Sequence, residues 1–336
     1  MLYYCTLFDS NYINKGIALY LSIERYTSDF VLYIMAMDKK CFALLKNINL
    51  KNVVVECIED IENGQLLEAK NNRSRAEYCW TCGSVVTEHF FRVHQLPEIT
   101  YLDSDLQFFH NPKVLDDELK KANASVGLSP HFINNTTFGI YCVQYVYFRR
   151  DDNGVACLEW WKDQCLKWCY SRLENGKYGD QKYLDYFSKY FENVYSLKNR
   201  GAGIANWNMD QYKYNEYNMS LKHKGDEWPI VFFHYNGVNI KIENGKIIFV
   251  VSKYFPFSVR NIFFNKYAEL LQLVYSRYLG ENISGYKVIP QNRFKVCSNR
   301  FWLLIRRKKI GIYLEDMYMK KKYAKRQAPY SERNNS

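Results

Sequence analysis

The sequence predicts an α/β protein built around a parallel sheet, and three observations carry that prediction. Short apolar, β-branched or aromatic runs alternate with amphipathic stretches in the order strand, helix, strand, helix, strand, helix, strand. The last of these strands, Ile99 to Leu102, ends in Asp103-Ser104-Asp105, and open α/β sheets bind ligands off the carboxyl ends of their strands. The chain has 336 residues, 48% hydrophobic and 24% charged. That suits one large α/β domain with appendages, or two domains, and excludes a disordered chain.

Taken in order, Leu2 to Phe8 is rich in Tyr, Thr and Phe and reads as the first strand. Gly16 to Tyr26 follows with Ile17, Leu21, Tyr20 and Ile23 at helical spacing. Phe30 to Met35 is a second strand, Lys39 to Asn47 a helix, and Val53 to Ile58 a third strand. Residues 64–95 read as largely helical up to the break at Pro97. Beyond Asp105, Leu115 to Lys121 is a short helix, and Ala124 to Leu128 and Ile140 to Phe148 are strands. Asp151-Asp-Asn-Gly154 reads as a turn before a helix over Val155 to Tyr170. Gly176 to Gly179 breaks that helix, and another begins with Asp180 at a natural N-cap. Val194 to Leu197 is a small strand, and Gly201 to Asn208 a loop. Pro229 to Gly237 is a strand running into a turn, and Lys241 to Val251 a hairpin about Asn244-Gly245. Asn261 to Leu279 is helical.

Composition removes several classes. The amino terminus lacks the basic region of a secretory signal, and no apolar run reaches the about 18 residues of a membrane span. Ten cysteines without a framework are expected to be reduced thiols, as in a cytosol. Cys79 and Cys82 with Cys165 and Cys169 lack zinc-ribbon spacing, so core thiols are the expectation. The net charge of +11 resides mainly between Arg293 and Arg326, where twelve Lys and Arg face only Glu315 and Asp316. Basicity is thus a property of the tail.

Asp103 and Asp105 point the same way from extended chain, and two such carboxylates repel unless a cation lies between them. Hard divalent ions with oxygen shells, Mn²⁺ or Mg²⁺, suit the pair. Taken alone, Asp-x-Asp is equally read as a turn cap. Five stretches together say more: Cys5-Thr-Leu-Phe-Asp-Ser-Asn-Tyr12, Tyr101-Leu-Asp-Ser-Asp105, Gly179-Asp-Gln-Lys-Tyr-Leu184, Trp207-Asn208 and Phe233-His-Tyr-Asn-Gly237. In order and spacing this set resembles the GT-A glycosyltransferases, and among them family 8 and bacterial relatives that build surface polysaccharides.

The resemblance implies a single Rossmann-like nucleotide-diphospho-sugar transferase domain over residues 1–250. It implies a mostly helical, basic extension over 251–326, and 327–336 is read as a disordered end. It implies a metal held by Asp103, Asp105 and His234, although a histidine there could in isolation simply bond a backbone carbonyl. It places Thr6, Phe8, Asp9, Tyr12, Arg75, Ser104, Gly237 and Lys241 around the nucleotide. Arg73 competes with Arg75 by spacing, and Asp9 is also read as an Asx-turn. Family members often carry Lys six positions past the histidine, where this chain has Ile240, with Lys241 one later. Asp180 and Gln181 would stand at the anomeric carbon as catalytic groups, and Asn208 at the donor sugar or acceptor. The implied reaction moves a sugar, retaining and UDP-linked by analogy, to a glycan or lipid-linked saccharide.

The basic tail interleaves charge with Phe301, Trp302, Leu303, Leu304 and Ile305, as does a segment lying on an anionic membrane surface. The expected protein is therefore cytoplasmic and peripheral on the inner membrane face, with no nucleic-acid partner. A solvated helix packed on the domain is the plainer reading of the tail. The alternatives for the whole chain are a nucleotidyltransferase on a similar fold and a non-enzymatic basic membrane- or RNA-binding protein. The first usually needs a Gly-rich basic loop after the first strand, which Phe8-Asp-Ser-Asn-Tyr12 is not.

Overall fold

The computed structural model describes residues 1–291. The chain divides into two compact units, Met1–His234 and a second from Tyr235 onward. The first ends ahead of the expected boundary at 250, which falls inside a strand of the second. The tail from Arg293 and the end from Gln327 lie outside the described residues.

In the first unit the strands β1 (Leu2–Phe8), β2 (Phe30–Ala36), β3 (Val53–Cys57) and β4 (Glu98–Leu102) run parallel, as expected. Between them come α1 (Ile13–Glu24), α2 (Lys39–Ile48), α3 (Gly64–Asn72) and α4 (Arg75–Val93). Each later helix has a chemical start. Asp38 caps α2 by accepting from the Cys41 amide, Asn63 caps α3, and Ser74 with Glu77 forms a reciprocal capping box on α4. That box divides the expected helical stretch 64–95 in two. The chain then runs through β5 (Leu106–Phe108), α5 (Lys113–Lys121), β6 (Val126–Pro130), β7 (Tyr141–Arg149) and α6 (Asp152–Lys167). A 3₁₀ turn over Gln181–Tyr186, α7 (Phe187–Tyr190) and β8 (Val194–Ser196) complete the main sheet. Its order is β3-β2-β1-β4-β7-β6-β8, with β7 antiparallel to both neighbours.

Residue alternation along β1 assigns the two faces. Cys5 and Leu7 belong to a core with Cys82, Val86 and Phe90 of α4 and Cys157, Trp161 and Cys165 of α6. Phe8 points oppositely, under α1. A Cβ on Gly16 would come within 2.2 Å of its ring, so glycine lets α1 approach the sheet. Trp161, Cys157 and Cys165 of α6 are core groups, as expected.

Two further sheets complete the first unit. In one, β13 (Phe232–His234) lies between β5, antiparallel, and β9 (Ala202–Ala205), parallel. The other joins β10 (Lys213–Asn215), β11 (Ser220–His223) and β12 (Asp226–Pro229). The expected loop over 201–208 therefore contains a strand, because buried Ala202, Ile204 and Ala205 pair with β13. The expected turn at Asp151–Gly154 is instead the start of α6: the Asp151 carboxylate accepts from the Gly154 amide at 2.8 Å. The second unit holds the expected hairpin, β14 (Val238–Glu243) against β15 (Lys246–Val251), with Asn244 and Gly245 both at positive φ. It adds α8 (Phe257–Val259), α9 (Asn265–Val274) and β16 (Tyr286–Pro290), which pairs with β15. π-helical turns at Arg260–Phe264 and Tyr275–Leu279 flank α9 within the expected helix.

Candidate metal and nucleotide site

The site begins where β4 leaves the sheet. Its last residue, Leu102, pairs with Tyr145 of β7, and the next amide, Asp103, still donates to the Gln144 carbonyl at 3.2 Å. Asp103-Ser104-Asp105 then turns the chain into β5. There Leu106 pairs with His234 of β13, which brings the histidine beside the turn. The Nε2 atom of His234 lies 3.0 Å from Oδ1 of Asp105 and 3.7 Å from Oδ2 of Asp103. The three expected ligands therefore converge, although no single sheet carries them.

The support around them was not expected from the sequence. Nδ1 of His234 lies 2.8 Å from Oε1 of Gln144, and the Gln144 amide nitrogen donates to Ser129 Oγ at 2.9 Å. Gln144 is fully buried, and its carbonyl accepts from Nδ1–H, which leaves Nε2 facing the carboxylates. Gly203, at φ +96, makes room for this amide: a Cβ there would lie 2.2 Å from Gln144 Nε2. On the other side, the buried ammonium of Lys15 is 3.7 Å from Asp105 Oδ2 and 4.2 Å from the centre of the Tyr12 ring.

Cys142 is a second unexpected member. It stands two residues before Gln144 on β7, where the register against β6 shifts. One donor atom each from Asp103, Cys142 and His234 lies within 4.8 Å of the others. Trp207 sets its ring edge-on to both His234, at 5.4 Å, and His131, at 5.1 Å, and its buried indole N–H has no partner among the described residues. The usable signal in the sequence was Gln144 itself, a polar side chain inside an otherwise apolar strand.

Electrostatics follow from this crowding. Burial pushes the Asp103 carboxyl up to about 7 against the attraction of His234. Burial acts the same way on Asp105, but the charge and hydrogen bond of His234, with Lys15, outweigh it and hold that carboxyl well below its usual range. His234 is disfavoured as a cation by burial, yet Asp105 raises it well above an ordinary imidazole. Burial likewise opposes ionisation of Cys142, and hydrogen bonds with His131 and His234 bring it down to about 6. Asp180 is raised by burial and then by the charge of Asp103, so it lies within electrostatic reach of the same cluster.

The remaining expected residues divide clearly. At the ends of β1 and β2, Arg75 spans Asp9 and Asp38, with Nε 2.6 Å from Asp9 and a terminal nitrogen 3.5 Å from Asp38. Asp9 also closes an Asx-turn on the Asn11 amide at 2.9 Å. Arg73 does not compete. It is buried and donates to the Cys165 and Leu166 carbonyls at 2.8 and 2.6 Å, closing the carboxyl end of α6. Tyr12 is exposed at the start of α1, and Ser104 lies between the two aspartates. Asp180 stands at the N-cap position of the 3₁₀ turn without a side-chain capping bond, its carbonyl held by Trp161 Nε1 at 3.0 Å. Gln181 donates to the Phe138 carbonyl at 2.9 Å.

Three of the expected residues are buried. Phe8 is 3% exposed, beneath α1. Thr6 is fully buried within β1. Asn208 is 1% exposed and spends its amide on the His131 and Gly203 carbonyls and the Ala205 amide, which fixes the loop there. Gly237, at φ +72, and exposed Lys241 belong to the second unit.

No family model matches the chain. It is 31% identical over 250 residues to YfnF, an uncharacterized protein of Bacillus subtilis (strain 168), covering 70% of this chain and 82% of that one. The chain belongs to the YfnF family. A second protein of the same strain, YfnD, is 27% identical over 251 residues, covering 72% of this chain and 79% of its own. Among solved structures, the galactosyltransferase LgtC in complex with donor and acceptor sugar analogs aligns with a TM-score of 0.51 at 11% identity. The alignment covers 80% of this chain and 95% of LgtC. This member of the YfnF family therefore has the GT-A fold.

Proposed function

We propose that this YfnF-family protein is a metal-dependent glycosyltransferase. It moves a sugar from a nucleotide-diphospho-sugar, of the UDP class, to a hydroxyl of a glycan or lipid-linked saccharide. The observation that carries the reading is the convergence of Asp103, Asp105 and His234. Neighbouring donors in an octahedral shell of about 2.1 Å radius stand about 3 Å apart, and His234 lies 3.0 Å from Asp105. Two carboxylates and an imidazole suit Mn²⁺ or Mg²⁺.

Such an ion, when bound, neutralises charge on the departing diphosphate as a Lewis acid. The protein's own groups do the rest. Asp103, Asp105 and His234 hold the ion, with Ser104 between the carboxylates. Arg75 presents a cationic fork beside Asp9 at the end of β1, where a nucleotide's phosphates and ribose would lie. Tyr12 offers an exposed ring and hydroxyl beside it. Asp180 and Gln181 are assigned to the sugar: a carboxylate can hold its hydroxyls, and an amide carbonyl can stabilise a cationic anomeric carbon. Resemblance to family 8 favours retention of configuration and a role in bacterial surface polysaccharide.

The basic segment from Arg293 to Arg326 is assigned to an anionic membrane surface. No helix of the described residues is long and apolar enough to cross a membrane.

Calorimetry with UDP-, GDP- and CMP-sugars, with and without Mn²⁺, tests the reading. The expected result is tight, Mn²⁺-dependent binding of a UDP-sugar that Asp105→Asn abolishes. Equal affinity with and without metal for every donor would overturn it.

A further inference from the structure

We propose that Cys142 gives this centre a second donor set, so that a thiophilic divalent cation of the zinc and cobalt class binds through Asp103, Cys142 and His234. The inference rests on the metal site proposed above and specifies which ions that site takes. Its ground is geometric. Asp103, Cys142 and His234 each place a donor atom within 4.8 Å of the other two. Gln144 of β7 holds the His234 ring by Nδ1, so the strand that orients the imidazole also supplies the sulfur.

The chemistry separates two sets that share Asp103 and His234. Asp103, Asp105 and His234 offer two oxygens and a nitrogen, which suit a hard six-coordinate ion. Replacing one oxygen by sulfur gives oxygen, sulfur and nitrogen, a set that suits a four-coordinate ion with one position open to solvent or substrate. Binding forms bonds from the metal to sulfur and to His234 Nε2; any proton carried by either atom passes to the buffer, and each ligand takes the place of water in the ion's hydration shell. Cys142 is 5% exposed, so the ligand is a pre-positioned wall group and not a mobile surface thiol. None of the other described cysteines is grouped with an acidic or histidine partner in this way.

The test is a titration of the full-length protein with Co²⁺ alone, followed in the near ultraviolet. Wild type is expected to develop a thiolate-to-cobalt charge-transfer band that saturates near one equivalent, and Zn²⁺ should abolish it by competition. Cys142→Ser should lose the band. Its Zn²⁺ affinity should fall by at least about 100-fold, the upper end of what loss of a supporting group costs, while Mn²⁺ affinity falls far less. Cys142→Ala, with its far-ultraviolet circular dichroism compared with wild type, supplies a second variant should the serine form misfold. A band of wild-type intensity in both variants, or cobalt bound to wild type without the band, overturns the role of Cys142 and leaves the Mn²⁺ site standing. Absence of Mn²⁺ and Co²⁺ binding to wild type overturns the metal site itself.

Discussion

Nδ1 of His234 lies 2.8 Å from Oε1 of Gln144, between two buried side chains 90 residues apart in sequence. The bond fixes which nitrogen faces Asp103 and Asp105, and so decides whether the imidazole can act as a ligand at all. Gln144→Leu removes the acceptor while leaving the three ligands in place. Mn²⁺ affinity, read by titration, should fall about 10- to 100-fold.

Gly203 acts on the same bond from the outside. A methyl group there would meet Gln144 Nε2 at 2.2 Å and Ser129 Oγ at 3.0 Å, and the residue sits at φ +96. Gly203→Ala should therefore weaken Mn²⁺ binding in the same direction as Gln144→Leu. It should also cost about 1–3 kcal/mol of stability in a urea titration. Unchanged metal affinity would separate the glycine from the site.

Arg73 and Arg75 are two positions apart and should behave oppositely. Arg73→Met strands the Cys165 and Leu166 carbonyls. Hydrogen bonds to a charged group contribute about 1.5–3 kcal/mol each, so stability should drop by at least about 3 kcal/mol. Arg75 has a side chain 62% exposed, so Arg75→Met should leave the denaturation midpoint nearly unchanged and weaken sugar-nucleotide binding.

Acid should act on the start of α4. Glu77 accepts from the Ser171 amide at 2.6 Å and from Ser74, and these bonds hold its carboxyl below its ordinary value of 4.5. A depressed folded-state value means the contribution is complete above about pH 4.5 and is lost as the pH falls through the folded value. Glu77→Gln should flatten the acid limb of a stability profile below that pH and leave the profile near neutrality parallel to wild type. An unchanged acid limb would assign the acid sensitivity to other carboxylates.

Much of the fold was legible because its signals are local. Val53 to Cys57 reads as a strand from its own residues, and Asn244-Gly245 reads as a hairpin because both positions take positive φ cheaply. The Asp103, Asp105 and His234 set was legible through resemblance. What escaped depends on partners distant in sequence. Ala202–Ala205 is a strand because β13 pairs with it, and nothing within its own few residues announces that. The burial of Phe8 depends on Gly16, which draws α1 down onto its ring. Cys142 and Lys15 join the centre through a neighbouring strand and a helix start, which no spacing in the chain encodes.

The pairing of β13 with β5 has a consequence for synthesis. The aspartates emerge from the ribosome early, but the imidazole that completes their set arrives only with His234, the last residue of the first unit. A nascent chain halted before Phe232 can already have formed the β1–β4 sheet while lacking the imidazole of the proposed set. In the proposed centre, the full set of ligands would therefore exist only once the whole first unit has been made.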